Sequence, residues 1–275
     1  MTTPKDKDKP GRHERMLAAY GFGLFALPRY AEVKGKGWHV RHHLPSMSEG
    51  YLTQSFVEGN RFVLYEGRRP WMSTGLFEVE SHAWHVQAAH GLVVVAGLGM
   101  GMYAYAVSQK PDVTQVVIVE RDPRVAEILE QAVGFSQWPG RGKIQLLMAD
   151  ALDPDLPAQL ALFTGGKTAD YFYADIWPVA PDASAPSQML AMAGRLAPAA
   201  AGWWGQEFNF GRWCLETGTK PDEAALRGYF AAYGVTAPVT PGYLAFCRDL
   251  LAANRAYLTP RRAVSGGFWS RLFRR

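Results

Sequence analysis

The segment at residues 92–122 constrains the fold of this chain more than any other. It begins with an uninterrupted apolar run at 92–96 that is short enough for one strand and too apolar for an exposed one. Such runs are typical of strands in a parallel sheet that is covered by helices on both faces. A glycine-rich turn follows at 97–101, then an apolar segment of helical length, then a second strand that ends on Glu120. The segment therefore predicts a strand–turn–helix–strand unit with an acid at the tip of its second strand.

This unit also indicates a class of ligand. Glycines let the backbone approach a ligand closely, and a carboxylate at the tip of the next strand accepts hydrogen bonds from two vicinal ribose hydroxyls. Dinucleotide-binding folds prefer the spacing GxGxxG, whose third glycine would fall at Met102. This chain has GxGxG instead, with Gly97, Gly99 and Gly101. The pattern favours a nucleoside-type ligand over a purely structural turn.

The rest of the chain alternates between helical and strand patterns. Before the central unit, residues 51–57 and 61–67 predict two strands joined by a turn, and 76–90 has helical spacing. After it, the pattern predicts further strands and helices in turn, and ends in an antiparallel hairpin, at 235–239 and 243–247, and a short helix. This order predicts an α/β fold: a doubly wound, seven-stranded, mostly parallel sheet with a small N-terminal antiparallel β unit.

Charge and composition divide the chain into four regions. We expect a basic and partly disordered segment at 1–47, the β unit at 48–75, the ligand-binding domain at 76–260 and a basic tail at 261–275. The first region holds nine Lys/Arg against four Asp/Glu and the last holds five Arg without an acid, so the body between them is acidic. An acidic body does not indicate a nucleic-acid channel, although the basic ends leave contact with nucleic acid or anionic lipid open.

Several classes of protein are disfavoured. No apolar stretch reaches the roughly 18–20 residues that span a bilayer, and no secretory leader precedes the fold. Cys214 and Cys247 lack metal-like spacing and fit a reducing cytoplasm. His82 and His85 have Glu78 and Glu80 nearby but no further ligand at suitable spacing, so we expect no metal site. A homodimer is left open.

Four successive predicted strands end in residues that can contact a ligand. In an open α/β sheet, ligands bind beyond the carboxyl ends of the strands, where the strand order reverses. Here those ends carry the glycine turn, Glu120, Asp150 and Asp175. Each acid also has a purely structural interpretation: a solvated strand end for Glu120, a helix cap for Asp150, and a cap or turn for Asp175.

The order of these motifs over about 90–250 resembles the class I methyltransferases, which bind S-adenosylmethionine (SAM) on a Rossmann-like sheet. The resemblance implies SAM as the cofactor, with the glycine turn under its methionine part and ribose. Glu120 would hold the ribose hydroxyls, Asp150 would accept from the adenine amine, and the N–H of Ala151 would meet a ring nitrogen. The implied cofactor-binding residues are Gly97, Leu98, Gly99, Gly101, Glu120, Asp150 and Ala151.

A narrower resemblance is to the spermidine synthase-like branch of that superfamily. The branch has an apolar residue where Val95 stands and a small N-terminal β unit. It also has a DxxDP-like stretch and a GGGDGG loop. Here only the first acid of that stretch is present, as Asp175, with Trp177 and Pro178 where the second would fall, and the loop reads GLGMG.

The stretch Asp175-Ile176-Trp177-Pro178 is also distantly similar to the (D/N)PPY loop of amino-methyltransferases. That similarity implies that Asp175 orients an acceptor and that Trp177 stacks on a planar one. An alternative for Trp177 is a place in the core.

Three hypotheses follow, and the first is favoured. The chain is a SAM-dependent methyltransferase for a small or planar acceptor, with Asp175 and Trp177 as catalytic candidates. Alternatively, it is a spermidine synthase-like aminopropyltransferase that uses decarboxylated SAM. The third is a non-catalytic SAM-fold module that acts through its basic ends.

Overall fold

The computed structural model describes residues 12–259. The predicted basic tail at 261–275 lies outside the described residues, as do residues 1–11. After helix α1 (Arg12–Ala18), the chain forms six short strands: β1 (Val33–Lys34), β2 (Trp38–His43), β3 (Ser46–Ser48), β4 (Phe56–Glu58), β5 (Arg61–Glu66) and β6 (Arg69–Ser73).

These strands form two antiparallel sheets. One has four strands in the order β1-β2-β5-β6, and the other is the pair β3-β4. The antiparallel region therefore begins at Val33, within the segment 1–47 that we expected to be basic and partly disordered, and before the expected start at 48. Within it, the strand expected over 51–57 is confined to β4.

The central sheet is parallel and lies between helices. Its elements, in chain order, are α2 (Leu76–Ala88), β7 (Gly91–Ala96), α3 (Met102–Ser108), β8 (Val113–Glu120), α4 (Pro123–Val133), β9 (Ile144–Met148), α5 (Leu156–Thr164), β10 (Tyr171–Ala174), α6 (Ala185–Leu196) and β11 (Ala200–Trp203). The spatial order is β11-β10-β7-β8-β9, and every neighbouring pair is parallel. The chain runs outward from β7 to β9 and then returns to β10, so the strand order reverses between β7 and β10.

Among residues 12–259 the parallel sheet has five strands, and the predicted count of seven is not confirmed. The predicted hairpin at 235–239 and 243–247 is wrong. The chain there enters α9 (Pro241–Ala253), which follows α7 (Gln206–Thr217) and α8 (Glu223–Ala232) and precedes α10 (Arg255–Leu258). The first hairpin segment still runs beside the sheet edge, since Ala201 donates to the carbonyl of Thr236 at 3.1 Å.

Local chemistry explains why a helix forms where a strand was predicted. The Thr240 hydroxyl accepts a hydrogen bond from the amide of Tyr243, and Pro241 occupies the first turn, where it needs no N–H partner. The buried residues that follow are Tyr243, Phe246, Cys247 and Leu250, which share one face of a helix. The aromatic and small residues of this stretch fit the repeat of a strand as well as that of a helix. The N-terminal cap at Thr240 favours the helix.

The antiparallel sheet lies over the carboxyl ends of the parallel strands. The indole of Trp38 on β2 donates to Asp122, just after β8, at 3.0 Å. The hydroxyl of Tyr30 donates to the carbonyl of Met100 in the glycine turn at 2.7 Å. The two sheets thus enclose a space above the glycine turn. No helix within residues 12–259 is long and apolar enough to cross a membrane.

Candidate active site

A cavity of about 630 Å³ opens above the carboxyl ends of the parallel strands. Its size is in the range of sites for small molecules and cofactors. Seven of the nine predicted site residues line it: Gly97, Gly99, Glu120, Asp150, Ala151, Asp175 and Trp177. The other two, Leu98 and Gly101, are buried in the loop but are not among the lining residues.

The glycine turn needs glycine for conformation and for space. Gly97 has φ +97°, and a Cβ there would overlap the carbonyl oxygen of Asp175, which follows β10. Gly99 has φ +50°, and a Cβ would overlap the sulfur of Met72 on β6. L residues with a side chain rarely adopt such φ values. The turn is therefore packed closely against both the neighbouring strand end and the covering sheet.

Glu120 connects the two loops that border the cavity. One carboxylate oxygen accepts from the amide of Leu98 at 2.9 Å, and the other accepts from the amide of Asp122 at 2.8 Å. A carboxylate offers about four lone-pair directions, so two remain for a ligand. The sequence analysis gave Leu98 as a cofactor-binding residue, and in the structure its amide is engaged by Glu120.

Asp150 lies at the tip of β9 with its side chain 45% exposed. One oxygen accepts from the amide of Leu152 at 2.9 Å within the turn that precedes α5. The other lies 3.9 Å from the guanidinium of Arg121. The N-cap of α5 is Asp155, so Asp150 does not cap that helix; it stabilises a turn and lines the cavity, and the buried Ala151 is beside it.

Asp122 anchors the same side of the cavity. Its carboxylate binds the guanidinium of Arg124 and accepts from the indole of Trp38. The hydrogen bond from Arg124 lowers the pKa of Asp122 to about 2, and the Trp38 hydrogen bond acts in the same direction. A charged and fixed Asp122 holds β2 against the loop that follows β8.

His82 and Asp175 form an ion pair at the opposite side. The Nδ1 of His82 lies 2.6 Å from the backbone carbonyl of Glu78, and its Nε2 lies 3.3 Å from the carboxylate of Asp175. Both partners can accept, so the two contacts favour a ring that carries a proton on each nitrogen. Burial alone would lower the pKa of His82, but the hydrogen bond and charge of Asp175 raise it above its usual value.

The indole N–H of Trp177 has a hydrogen-bond partner within the protein. Its indole N–H donates to the side chain of Gln188 on α6 at 2.7 Å, and the residue is 6% exposed. The hydrogen bond fixes the plane of a ring that lines the cavity. The sequence left two alternatives for Trp177, a place in the core or a place against the acceptor. In the structure the residue is buried and also lines the cavity, so the two alternatives do not exclude each other.

Glu78, on α2, is a lining residue that the site prediction did not include. It is 1% exposed, and its Oε1 has no hydrogen-bond partner among the described residues. Burial raises the pKa of Glu78 to about 8, in spite of the nearby imidazolium of His82. The spacing of Glu78 and His82, four residues apart on one helix, placed them on a common face, but nothing in the sequence showed that this face meets the cavity.

No group of three or more His, Cys, Asp or Glu side chains that could hold a metal ion occurs within residues 12–259. The two histidines of α2 have other partners. His82 pairs with Asp175, while the Nδ1 of His85 lies 2.9 Å from the hydroxyl of Tyr171.

Comparison with known proteins gives only distant similarities. No protein-family model and no curated protein matches the chain. Among solved structures, a conserved hypothetical protein from Streptococcus pyogenes is 20% identical, with a TM-score of 0.27, over 40% of this chain and 61% of that protein. The methyltransferase domain of bacterial CtHen1 (CN form) is 14% identical, with a TM-score of 0.33, over 51% and 73%.

A spermidine synthase in complex with the transition-state analogue AdoDATO is also 14% identical, with a TM-score of 0.34, over 71% of this chain and 65% of that one. These similarities are too remote to assign an activity. The chemistry of the cavity has to carry the assignment.

Proposed function

We propose that this chain is a SAM-dependent methyltransferase that acts on a small or planar acceptor. One observation carries the proposal. Gly97, Glu120, Asp150 and Asp175, from four successive strand ends, line a single cavity at the point where the strand order reverses. That is where open α/β sheets bind nucleotides and related ligands.

In this proposal, each side of the cavity has its own role. Glu120 accepts from the ribose hydroxyls with the lone pairs that its loop contacts leave free. Asp150 and the amide of Ala151 contact the adenine edge, and the glycine turn lies under the ribose and methionine part. SAM carries a positive sulfonium, which carboxylates at the cavity wall stabilise.

Asp175 and Trp177 are proposed to orient the acceptor. His82 fixes the carboxylate of Asp175, and Gln188 fixes the ring of Trp177, so both are held before an acceptor arrives. Methyl transfer needs little acid–base assistance beyond a free nucleophile, because the sulfonium is a good leaving group. Alignment of nucleophile, methyl carbon and sulfur supplies most of the acceleration.

One observation favours aminopropyl transfer as a second candidate. Arg121 and Arg124 are the cations among the described residues that line the cavity, and they lie beside Asp150 and Asp122. The end of the cavity near Glu78 and Asp175 has the imidazolium of His82, which is already paired. The carboxylate of SAM would lack a cationic partner there, whereas decarboxylated SAM keeps the ammonium group and has no carboxylate to place.

The cellular setting is part of the proposal. Cys214 and Cys247 are both buried free thiols, as expected for a protein of the reducing cytoplasm. A role for the basic ends in binding nucleic acid, and a homodimeric assembly, are not needed for the proposed reaction.

Calorimetric titration with SAM, S-adenosylhomocysteine, decarboxylated SAM and NAD tests the proposal. Methyl transfer predicts binding of SAM and S-adenosylhomocysteine and no binding of NAD. Tighter binding of decarboxylated SAM than of SAM would favour aminopropyl transfer. Absence of binding by all four would exclude both activities and favour a non-catalytic module.

A further inference from the structure

The carboxyl group of Glu78 is the most unusual group in the cavity. It is almost wholly buried, it lines the cavity, and its Oε1 has no hydrogen-bond partner among residues 12–259. A buried carboxyl oxygen without a partner is expensive, and such groups in native proteins require an explanation. A ligand that donates a hydrogen bond to Oε1 from the cavity would supply one.

The neighbours of Glu78 do not neutralise it. His82 offers its Nδ1 proton to the backbone carbonyl of Glu78 and its Nε2 proton to Asp175, so neither proton is directed to the Glu78 carboxyl. His82 and Asp175 are the titratable groups that act on Glu78, and they act in opposite directions. The backbone of Ser73 and the side chain of Trp204 also lower the pKa of Glu78 without offsetting burial. Burial still keeps the pKa of this carboxyl high, so a positive group from a ligand would favour its ionised form.

The walls near Glu78 indicate which positive group this is. The ring of Trp204 lines the cavity beside it, and its indole N–H is engaged with the hydroxyl of Ser81 at 2.9 Å. Trp177 adds a second ring near Asp175. Carboxylates combined with aromatic faces are the environment that binds ammonium groups, through charge-assisted hydrogen bonds and cation–π contacts.

We propose that the acceptor nucleophile is an amine nitrogen and that Glu78 takes its proton. The inference rests on the proposed transferase function and adds to it the chemical class of the acceptor. The acceptor binds as an ammonium, and Glu78 loses its own proton to solvent at that step. The resulting carboxylate then takes one proton from the bound ammonium and leaves a neutral amine.

The remaining chemistry balances without another reagent. The nitrogen lone pair forms a bond to the transferred carbon, and the carbon–sulfur bond breaks with its electron pair staying on sulfur. The sulfonium becomes a neutral thioether, and the product leaves as an alkylated ammonium. Glu78 is then protonated again, as at the start. The reaction as a whole releases one proton, which is the proton that Glu78 lost to solvent when the ammonium bound.

Benzylamine is a suitable probe, with benzyl alcohol as its uncharged analogue. Each is titrated into the full chain loaded with S-adenosylhomocysteine, at neutral pH, in two buffers of different ionisation enthalpy. The difference in apparent heat gives the number of protons released on binding. Wild type is expected to release about one proton per benzylamine bound, because Glu78 ionises.

The Glu78→Gln variant keeps the shape of the side chain but has no proton to release. It is expected to bind S-adenosylhomocysteine like wild type, to bind benzylamine at least about tenfold more weakly, and to release no proton. Glu66→Gln is the matched control, since Glu66 lines the same cavity but is exposed on β5. It is expected to behave like wild type.

The outcomes separate the inference from the proposed function. If wild type fails to bind S-adenosylhomocysteine, the proposed function fails and the inference fails with it. If S-adenosylhomocysteine binds, two results would overturn the role of Glu78. One is binding of benzylamine to wild type without proton release, and the other is an affinity for benzylamine that is the same in Glu78→Gln as in wild type. If benzylamine does not bind, or if benzyl alcohol binds as tightly as benzylamine, the amine assignment is overturned.

Discussion

The sulfur of Met72, on the covering antiparallel sheet, lies directly against Gly99 of the glycine turn. The same sulfur is 3.0 Å from the amide of Met100 and accepts its hydrogen bond. A Cβ at Gly99 would overlap that sulfur. The covering sheet and the glycine turn are therefore packed as one unit, and a substitution in either is expected to perturb the other.

This contact predicts that Gly99→Ala destabilises the fold and that Met72→Ala relieves part of the effect. The alanine would be strained at φ +50° and would also collide with the sulfur, for a total loss of about 2–4 kcal/mol. Removing the Met72 side chain leaves only the backbone strain. Urea unfolding of the two single variants and the double variant should therefore give a favourable coupling of about 1 kcal/mol or more.

Gly165 provides the control for that cycle. It also has a positive φ, +62°, but a Cβ there would meet nothing within 4 Å. Gly165→Ala and Met72→Ala should be additive. If the effects of Gly99→Ala and Met72→Ala on the free energy of unfolding were also additive, this result would contradict the contact between the two residues.

A second prediction concerns the ion pair of His82 and Asp175. Asp175→Asn removes the charge that holds the imidazolium, so the pKa of His82 should fall from its raised value towards the low value that burial favours. An NMR titration of the ring carbons of His82 measures this directly. Asp182→Asn, at another lining acid, should leave the titration of His82 unchanged. An unaltered His82 titration in Asp175→Asn would show that the pair does not form.

A third prediction concerns stability and pH. The folded chain keeps the proton of Glu78 up to about pH 8, whereas the usual pKa is 4.5, so the folded state binds more protons than the unfolded state across that interval. The contribution of Glu78 to the free energy of unfolding is therefore fully present below its usual pKa. It decreases by about 1.4 kcal/mol per pH unit as the pH rises through the interval.

Glu78→Gln has no such proton, so wild type should lose stability relative to this variant as the pH rises through the interval. Glu78 also raises the pKa of His82, so the difference between the two chains includes this coupling. Urea unfolding at a series of pH values measures the difference. A stability difference that does not vary with pH would mean that Glu78 is ionised in the folded chain.

The sequence predicted the parts of the fold that local patterns encode. The apolar run before Gly97, the GxGxG turn and the acid at the end of the next strand all lie within one short segment, and each has a period or spacing of its own. The parallel sheet with its reversal in strand order follows from the alternation of helices and strands. Thr240 and Pro241 also form a helix-start signal, but the strand prediction for this stretch did not take it into account.

The rest depends on contacts between distant parts of the chain. Met72 and Gly99 are brought together by the packing of two sheets, as are Trp38 and Asp122. The importance of Glu78 comes from its burial and from an oxygen without a partner, and neither property can be read from residue type. For this reason the strand-end residues that line the cavity were predictable, whereas Glu78 and the contacts of the covering sheet were not.

The central claim is that Glu120 holds the ribose of a SAM-like ligand, and calorimetric titration with S-adenosylhomocysteine tests it most directly. Wild type should bind, and Glu120→Ala should bind at least about tenfold more weakly, because charge-assisted hydrogen bonds to the ligand are lost. Glu127→Ala, at an exposed position on α4, should bind like wild type, and circular dichroism should show all three chains folded. Equal binding by wild type and Glu120→Ala, or no binding by wild type, would contradict the account.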